Sequence, residues 1–441
     1  MNPPLQTVDT ILEARWVIPV EPARSVLFDH AVVIDHGRIT AILPAAEARS
    51  KFSATKHIAL PGHALIPGLV NLHTHAAMTL LRGLADDLAL MDWLNHHIWP
   101  AEMRHVSEEF VYDGSRLACA EMLRGGVTCF NDMYFFPRAT ARAALDARMR
   151  AVPGLIVVEF PSPYAADAQD YLNKGLALRD ELRGEPLLRF CLAPHAPYTV
   201  SDKSLREIAT YAGETDLPVH IHVHETRAEV EQSLKDHGMR PLRRLGEYGL
   251  LGPGLIAVHA IHLERDEIDL LARHGCHVAH CPSSNLKLAS GLAAVGTLLA
   301  GGINVGLGTD GAASNNRLDL FAEMRLAALL AKGVSGDAAA LPAWQALEMA
   351  TLRPARALGI DDIIGTLAPG KCADITAVDL SHLELAPCYD PLSHLVYAAG
   401  REHVTHVWVN GELVVDNGGL ATIDTLEVQA KAAFWREKIR G

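Results

Sequence analysis

Two histidines separated by one residue, His73 and His75 in VNLHTH, are the pair in this chain whose types and spacing can most directly do chemistry. The stretch alternates apolar and polar residues, so as a strand it turns both imidazoles to one face. Imidazoles so placed at a strand end can chelate a divalent metal such as zinc. An isolated His-x-His is as often a pair satisfied by backbone or water, so further donors decide the matter. PVHIHVHETR offers His220, His222 and His224 on one face, with Glu225 at its end. PHAPY offers His195, AVHAIHL offers His259 and His262, CHVAHC offers His277 and His280, and LGTDG ends in Asp310. Buried, unpaired imidazoles and carboxylates would be costly, whereas one metal absorbs several. Three histidines and an aspartate, with a non-ligating glutamate nearby, make a site that activates water: the metal lowers its pKa and the carboxylates move the proton. His220 and His224 are expected to be structural or to support ligands. His36, His237, His274, His382 and His403 are expected on the surface or in loops.

These side chains need a scaffold that gathers strand ends. From about residue 67 the chain repeats strand, loop and helix, with strands expected at 69–75, 126–130, 151–158, 187–193, 218–224, 255–260, 276–281 and 303–308. Eight such units in about 300 residues predict an α/β architecture of the (β/α)8 TIM-barrel type, whose chemistry sits at the C-terminal strand ends. An open doubly wound sheet fits less well, because no Gly-rich phosphate loop follows the first strand. Both ends of the chain read as short β-strands, with turns at Asp35-His36-Gly37 and Asn410-Gly411. The expected organisation is a small β-sandwich domain from residues 1–66 with 370–425, a metal-dependent barrel over 67–369, and a C-terminal surface helix over 426–441.

Bulk properties narrow the partners. The formal charge is 39 − 52 = −13 without any cluster of Lys and Arg, which speaks against nucleic acid or an anionic membrane as partner. Seven scattered cysteines with no C-x-x-C pair speak for a reducing compartment, and a cytoplasmic location is expected. The opening MNPPLQTVDT has neither a basic nor an apolar region of a secretory signal, and no run of about 18 apolar residues predicts a membrane span.

The segments PGLVNLHTHAAMTLLRG, HIHVHET, AVHAIHL, HCPSSNLKLASG and LGTDGAASNN together resemble the amidohydrolase superfamily, in its mononuclear-metal branch of deaminases and chlorohydrolases. The resemblance runs from about residue 10 to about residue 425. It implies His73, His75, His222 and Asp310 as ligands of one metal per subunit, Glu225 as proton shuttle in H-x-x-E, and His259 as the residue orienting the nucleophilic water. No lysine stands at the end of the fourth strand to bridge a second metal. Zinc suits this donor set and iron(II) would also be accepted.

Within the branch, LRGLADDLALMDWLNHHIWPAEMR is most similar to 5′-methylthioadenosine/S-adenosylhomocysteine deaminases. That resemblance implies Trp93 lining the pocket, Glu102 binding ribose hydroxyls, His195 as a further substrate contact, and a substrate arginine after the third strand. Arg148 and Arg150 are the candidates for the last, Arg150 preferred, although IVVEFPSP departs from the family form. The implied reaction is hydrolytic deamination at C6 of an adenosine-type nucleoside by a cytoplasmic dimer or tetramer. The alternative keeps the metal site for a guanine or 8-oxopurine deaminase, or an s-triazine hydrolase.

Overall fold

A computed structural model describes residues 5–441; the first four residues of the expected terminal domain lie outside that range. Among the described residues two eight-stranded sheets account for the β-structure, one parallel and one mixed. The parallel strands are β1 (Leu69–Thr74), β2 (Val127–Asp132), β3 (Arg150–Val157), β4 (Cys191–Pro194), β5 (Val219–Val223), β6 (Leu255–His259), β7 (His277–His280) and β8 (Asn304–Leu307). They pair in sequence order and lie where the strand, loop and helix rhythm predicted. Nearly every residue in them is buried, as strands covered on both faces require.

The barrel closes between β8 and β1. The Asp310 N–H donates to the His73 carbonyl at 2.9 Å, and the buried Asn71 amide brackets Thr309, accepting from its N–H at 2.9 Å and donating to its hydroxyl at 2.7 Å. Gly308 sits on this seam, where an added Cβ would come within 2.8 Å of the His73 Cβ. The interior is filled by small apolar side chains from six strands, among them Val70, Cys129, Val152, Cys191, Ile256 and Ala279. Ala355, Ile360 and Ile364 close this cluster from one side. Several helices begin at the Ser, Thr or Asp that their sequence offers as N-cap. Ser107, Asp167, Ser201 and Thr226 each accept the N–H three residues on.

The mixed sheet is built from both ends of the chain. Its long strand Phe52–Pro67 pairs in parallel with Gln6–Val17 and antiparallel with Ile375–Asp379. It then runs through Gly68 directly into β1; a Cβ at Gly68 would lie 2.1 Å from the Thr128 hydroxyl, so the crossing needs glycine. The sheet is continuous, yet it curls until its two outer hairpin turns meet. Gly37 accepts from the Ala373 N–H at 2.9 Å, and Ala373 accepts from the Gly411 N–H at 3.0 Å. Both turns have two successive positive-φ residues, His36-Gly37 and Asn410-Gly411, as type I′ hairpins require. Leu12, Val32, Ile34, Leu65, Ile375 and Trp408 are enclosed as one cluster, giving the sandwich-like packing.

Two peripheral expectations need correction. The C-terminal helix Thr425–Arg440 is more than a surface helix, because Trp435 is fully buried. Its indole N–H donates to Asp113 at 2.9 Å and its ring meets Phe110 edge-on. His403 is buried too, tucked into a short turn where its ring hydrogen-bonds the Gly400 backbone and reaches Glu384. No helix among the described residues is long and apolar enough to cross a membrane.

Candidate metal centre and active site

Five side chains from four barrel strand ends converge at the C-terminal rim. His73, His222 and His259 present donor atoms within 4.8 Å of one another, and so do His73, His75 and Asp310. The separations are 3.2 Å between the Nε2 atoms of His73 and His222, and 3.3 Å from Asp310 Oδ1 to Nε2 of both His73 and His75. Donors held about 2.0–2.1 Å from a tetrahedral zinc stand about 3.3–3.4 Å apart, so these three edges match donors around a small divalent cation, with His73 common to both groups.

Each imidazole is turned inward by what holds its other nitrogen. His75 Nδ1–H donates to the Met133 carbonyl at 2.6 Å, and His222 Nδ1–H to the His195 carbonyl at 2.7 Å. His259 Nδ1–H donates to Asn285 Oδ1 at 2.8 Å, and His73 Nδ1 pairs with His220 Nε2 at 3.0 Å. With Nδ1 engaged, it is the Nε2 atom of each ring that is left for the centre. The 3.2 Å approach of two such lone pairs on His73 and His222 is unfavourable unless a cation or proton lies between them.

The strand ends are strained to bring these groups together. His224, His259, Ala260 and Asp310 all have positive φ, between 45° and 68°, a conformation that costs L-residues about 1–3 kcal/mol and persists where surroundings enforce it. Glu229 enforces it after β5: its carboxylate accepts the N–H groups of His224 at 2.9 Å and Glu225 at 2.7 Å. Thr226 and Glu229 form the T-x-x-E start of the helix Arg227–His237, so the end of β5 and the helix cap are one unit. Asp310 is fixed by its own loop and by the short helix Pro282–Lys287. Ser284 donates to its Oδ2 at 2.6 Å and the Gly311 N–H to its Oδ1 at 2.7 Å.

Burial and neighbouring charge set the protonation states. Burial opposes ionisation of Asp310, but hydrogen bonds from His73 and His75 outweigh it and hold the carboxyl well below its usual range. His73 is driven down to about 4 by burial despite the Asp310 contact. His75 is also buried, yet Asp310 and the Met133 carbonyl raise it to about 9. Burial pushes Glu225 upward, against the pull of His259 at 3.8 Å. A carboxylate that holds a proton more readily than usual is suited to moving one.

The centre forms the floor of a cavity of about 410 Å³. Trp93, Glu102 and His195 all line it, as do Tyr134, Trp99, Phe160 and Ser314. Glu102 is buried on the helix Trp99–His105, and its Oε1 accepts the Tyr134 hydroxyl at 2.6 Å. Desolvation raises its pKa to about 7, against the Tyr134 hydrogen bond and the attraction of His75. His195 pairs through Nδ1 with Thr199 at 3.0 Å, and burial beside His75 and His73 lowers it to about 3, leaving a neutral ring at the cavity wall.

Arg150 is not brought to the site. It stands at the start of β3, at the far end of the barrel, and makes a two-pronged pair with Asp374 at 3.0 and 3.1 Å. Arg148 is likewise remote, exposed beside Glu412. His224 bridges loops, accepting the Leu242 N–H at 3.0 Å and reaching the His262 carbonyl at 3.1 Å. The supporting roles of Tyr134, Ser284, Asn285 and Glu229 escaped the sequence reading. Only Glu229 carried a local signal, the T-x-x-E cap, while Ser284 and Asn285 stood inside HCPSSN without any spacing that reveals their partners.

Comparison with known proteins bears on this geometry. The family model described as the amidohydrolase family matches residues 64–414. A 5-methylthioadenosine/S-adenosylhomocysteine deaminase of Teredinibacter turnerae is 49% identical over 433 residues, covering 98% of each chain. The crystal structure of an adenosine deaminase from Xanthomonas campestris with bound zinc superposes with a TM-score of 0.98 at 48% identity, covering 99% of this chain and 100% of that one. Atrazine chlorohydrolase from Arthrobacter aurescens, complexed with zinc, is more distant, with a TM-score of 0.89 at 25% identity over 97% of this chain and 100% of its own.

Proposed function

The chain belongs to the amidohydrolase family, and we propose that it is a metal-dependent deaminase acting at C6 of an adenosine-type nucleoside. The observation that carries this reading is the placement of Glu102 in the same cavity as the metal centre. Its Oε1 is engaged by Tyr134, which leaves the second oxygen of this buried side chain free to accept ribose hydroxyls.

His73, His75, His222 and Asp310 would hold one divalent ion, which we take to be zinc from the donor set and the bond-length fit. When bound, the ion supplies the Lewis acidity that makes water nucleophilic near neutral pH. Glu225 takes the proton from the attacking water and delivers it to N1 of the purine, which makes C6 electrophilic. His259, its Nδ1 anchored by Asn285, presents Nε2 to the attacking oxygen from one side, and Asp310 faces it from another. Attack gives a tetrahedral C6; its hydroxyl proton, carried by the carboxylates to the exocyclic nitrogen, lets the C6–N6 bond break, so that ammonia leaves and C6 becomes a carbonyl. Trp93 and His195 hold the base and sugar against the wall.

A free purine or a triazine has no hydroxyl pair for Glu102, so the alternative readings leave its second oxygen, the one not held by Tyr134, without a substrate partner. All seven cysteines are unpaired and six are buried, which supports a reducing, cytoplasmic setting. The test is the ultraviolet change on adding zinc-loaded protein to 5′-methylthioadenosine, S-adenosylhomocysteine and adenosine separately. A shift from the adenine to the hypoxanthine spectrum with stoichiometric ammonia is expected. Silence on all three, with metal bound, overturns the nucleoside reading.

A further inference from the structure

The outer part of the cavity differs in character from its floor. Histidines and carboxylates gather at the metal centre, and Glu102 lies on the wall above them. Beyond Glu102 the lining includes Trp99, Met103, Val158, Phe160 and Pro163, with Ser162, whose hydroxyl accepts the N–H groups of Tyr164 and Ala165. Trp99 and Met103 are four residues apart on one helix, so they share a face. The ring of Phe160 stands against Trp99 with centroids 6.4 Å apart. Met103 is 58% and Phe160 40% exposed, which marks this end as the mouth.

Among the described residues no lysine or arginine lines the cavity. The segment after β3, where a cation could reach the mouth, supplies only one ionisable side chain between Val158 and Pro163, and it is committed elsewhere. Glu159 accepts the Ser201 N–H at 2.8 Å and the Ser204 hydroxyl at 2.6 Å, fastening this segment to the start of the helix Asp202–Thr215. Arg150 is bound to Asp374 at the far end of the barrel.

The deaminase reading, on which this inference rests, orients the substrate. C6 must face Glu225 and the metal centre, and the ribose hydroxyls must face Glu102, so the 5′ substituent points to the mouth. We propose that this apolar mouth is a 5′ subsite selective for small uncharged substituents, a methylthio group or hydrogen, and that it discriminates against the zwitterionic amino-acid tail of S-adenosylhomocysteine. A thioether fits between Trp99, Met103 and Phe160, because sulfur is favoured at aromatic edges and methyl groups gain from leaving water. A carboxylate carried to this wall finds no lysine or arginine in the lining to pair with, and the carboxylate of Glu102 repels it.

The test is kcat/KM of the zinc-loaded protein for 5′-methylthioadenosine, 5′-deoxyadenosine and S-adenosylhomocysteine. The methylthio nucleoside is expected to exceed S-adenosylhomocysteine by roughly 100-fold, the scale set by leaving charged groups unpaired, with 5′-deoxyadenosine within about tenfold of it. Phe160→Arg sets a guanidinium at the mouth and should raise the S-adenosylhomocysteine value, narrowing the ratio by about tenfold or more. Calorimetric titration of Glu225→Gln with the two thioether nucleosides reads the same preference as binding, without turnover or any change at the mouth. Similar values for the two in the unmodified protein, or in the titration, overturn the proposal, as does a ratio that Phe160→Arg leaves unmoved in folded protein. Inactivity towards every adenosine nucleoside is a different outcome and fails the deaminase reading itself.

Discussion

Replacing Arg150 by methionine separates a structural role from a substrate-binding one. The Arg150 and Asp374 side chains are only 5% and 1% exposed. The guanidinium donates twice to Asp374 and once, at 3.1 Å, to the Pro186 carbonyl. Asp374 also accepts the Asn410 N–H at 2.8 Å, and its own carbonyl accepts the Gly68 N–H at 2.9 Å. The pair therefore welds the base of β3 to the strand Ile375–Asp379 and to the crossing into β1. Arg150→Met leaves the Asp374 carboxylate buried with one backbone donor, a situation that costs about 3–5 kcal/mol. That is a shift of roughly a hundred- to several-thousand-fold in the folded-to-unfolded ratio. Urea unfolding followed by tryptophan fluorescence measures the loss, and kinetics below the transition should give an unchanged KM for nucleoside. Adding Asp374→Asn removes the stranded charge while keeping an acceptor for Asn410, so the double variant should recover part of the loss. A raised KM with stability intact would refute the reasoning and return Arg150 to the substrate.

Other expectations follow from the same contacts. Glu225→Gln should abolish turnover, by at least about 10²-fold for a lost proton shuttle, while metal analysis still finds one ion per chain; substantial residual activity removes Glu225 from that role. Because burial raises Glu102 to about 7, its carboxylate is charged above that pH and protonated below it. KM for a nucleoside should therefore be lowest above pH 7 and rise as pH falls through it, and Glu102→Gln should raise KM about 10- to 100-fold and flatten that limb. A KM profile unaltered by Glu102→Gln would exclude it from substrate binding. Trp435→Ala should cost about 3–5 kcal/mol in urea unfolding, because a fully buried ring is removed and Asp113 loses its indole donor; a loss under about 1 kcal/mol would mean that the helix is only peripherally attached.

How much was legible in advance depended on whether a signal is local. The barrel strands were, since strands buried on both faces read as apolar runs bounded by Gly and Pro. The histidines and Asp310 stood out because polar residues at the ends of such runs have no other ready explanation. What could not be read depends on which distant loops meet. Asn285 holds His259 only because the helix after β7 folds back over the end of β6, and Tyr134 reaches Glu102 from the loop after β2. Arg150 was misassigned because its partner lies 224 residues away, in a strand whose neighbours no periodicity reveals. Trp435 was missed because one buried ring on a helix otherwise rich in charge leaves almost no apolar stripe to detect.

The seam between β8 and β1 has a consequence for how such a protein is made. Asn71 and Thr309, bonded across it, are 238 residues apart in the chain. Asp310 takes its place by donating its N–H to His73, so the final closure of the barrel and the completion of the donor set are a single event. A ribosome that stops anywhere before the eighth strand releases a chain with histidines but no centre. An ion that binds the closed form alone then draws the whole molecule together by mass action. Fragments and misassembled chains are inert, and the only species able to consume a nucleoside is one whose first and last barrel strands have already found each other.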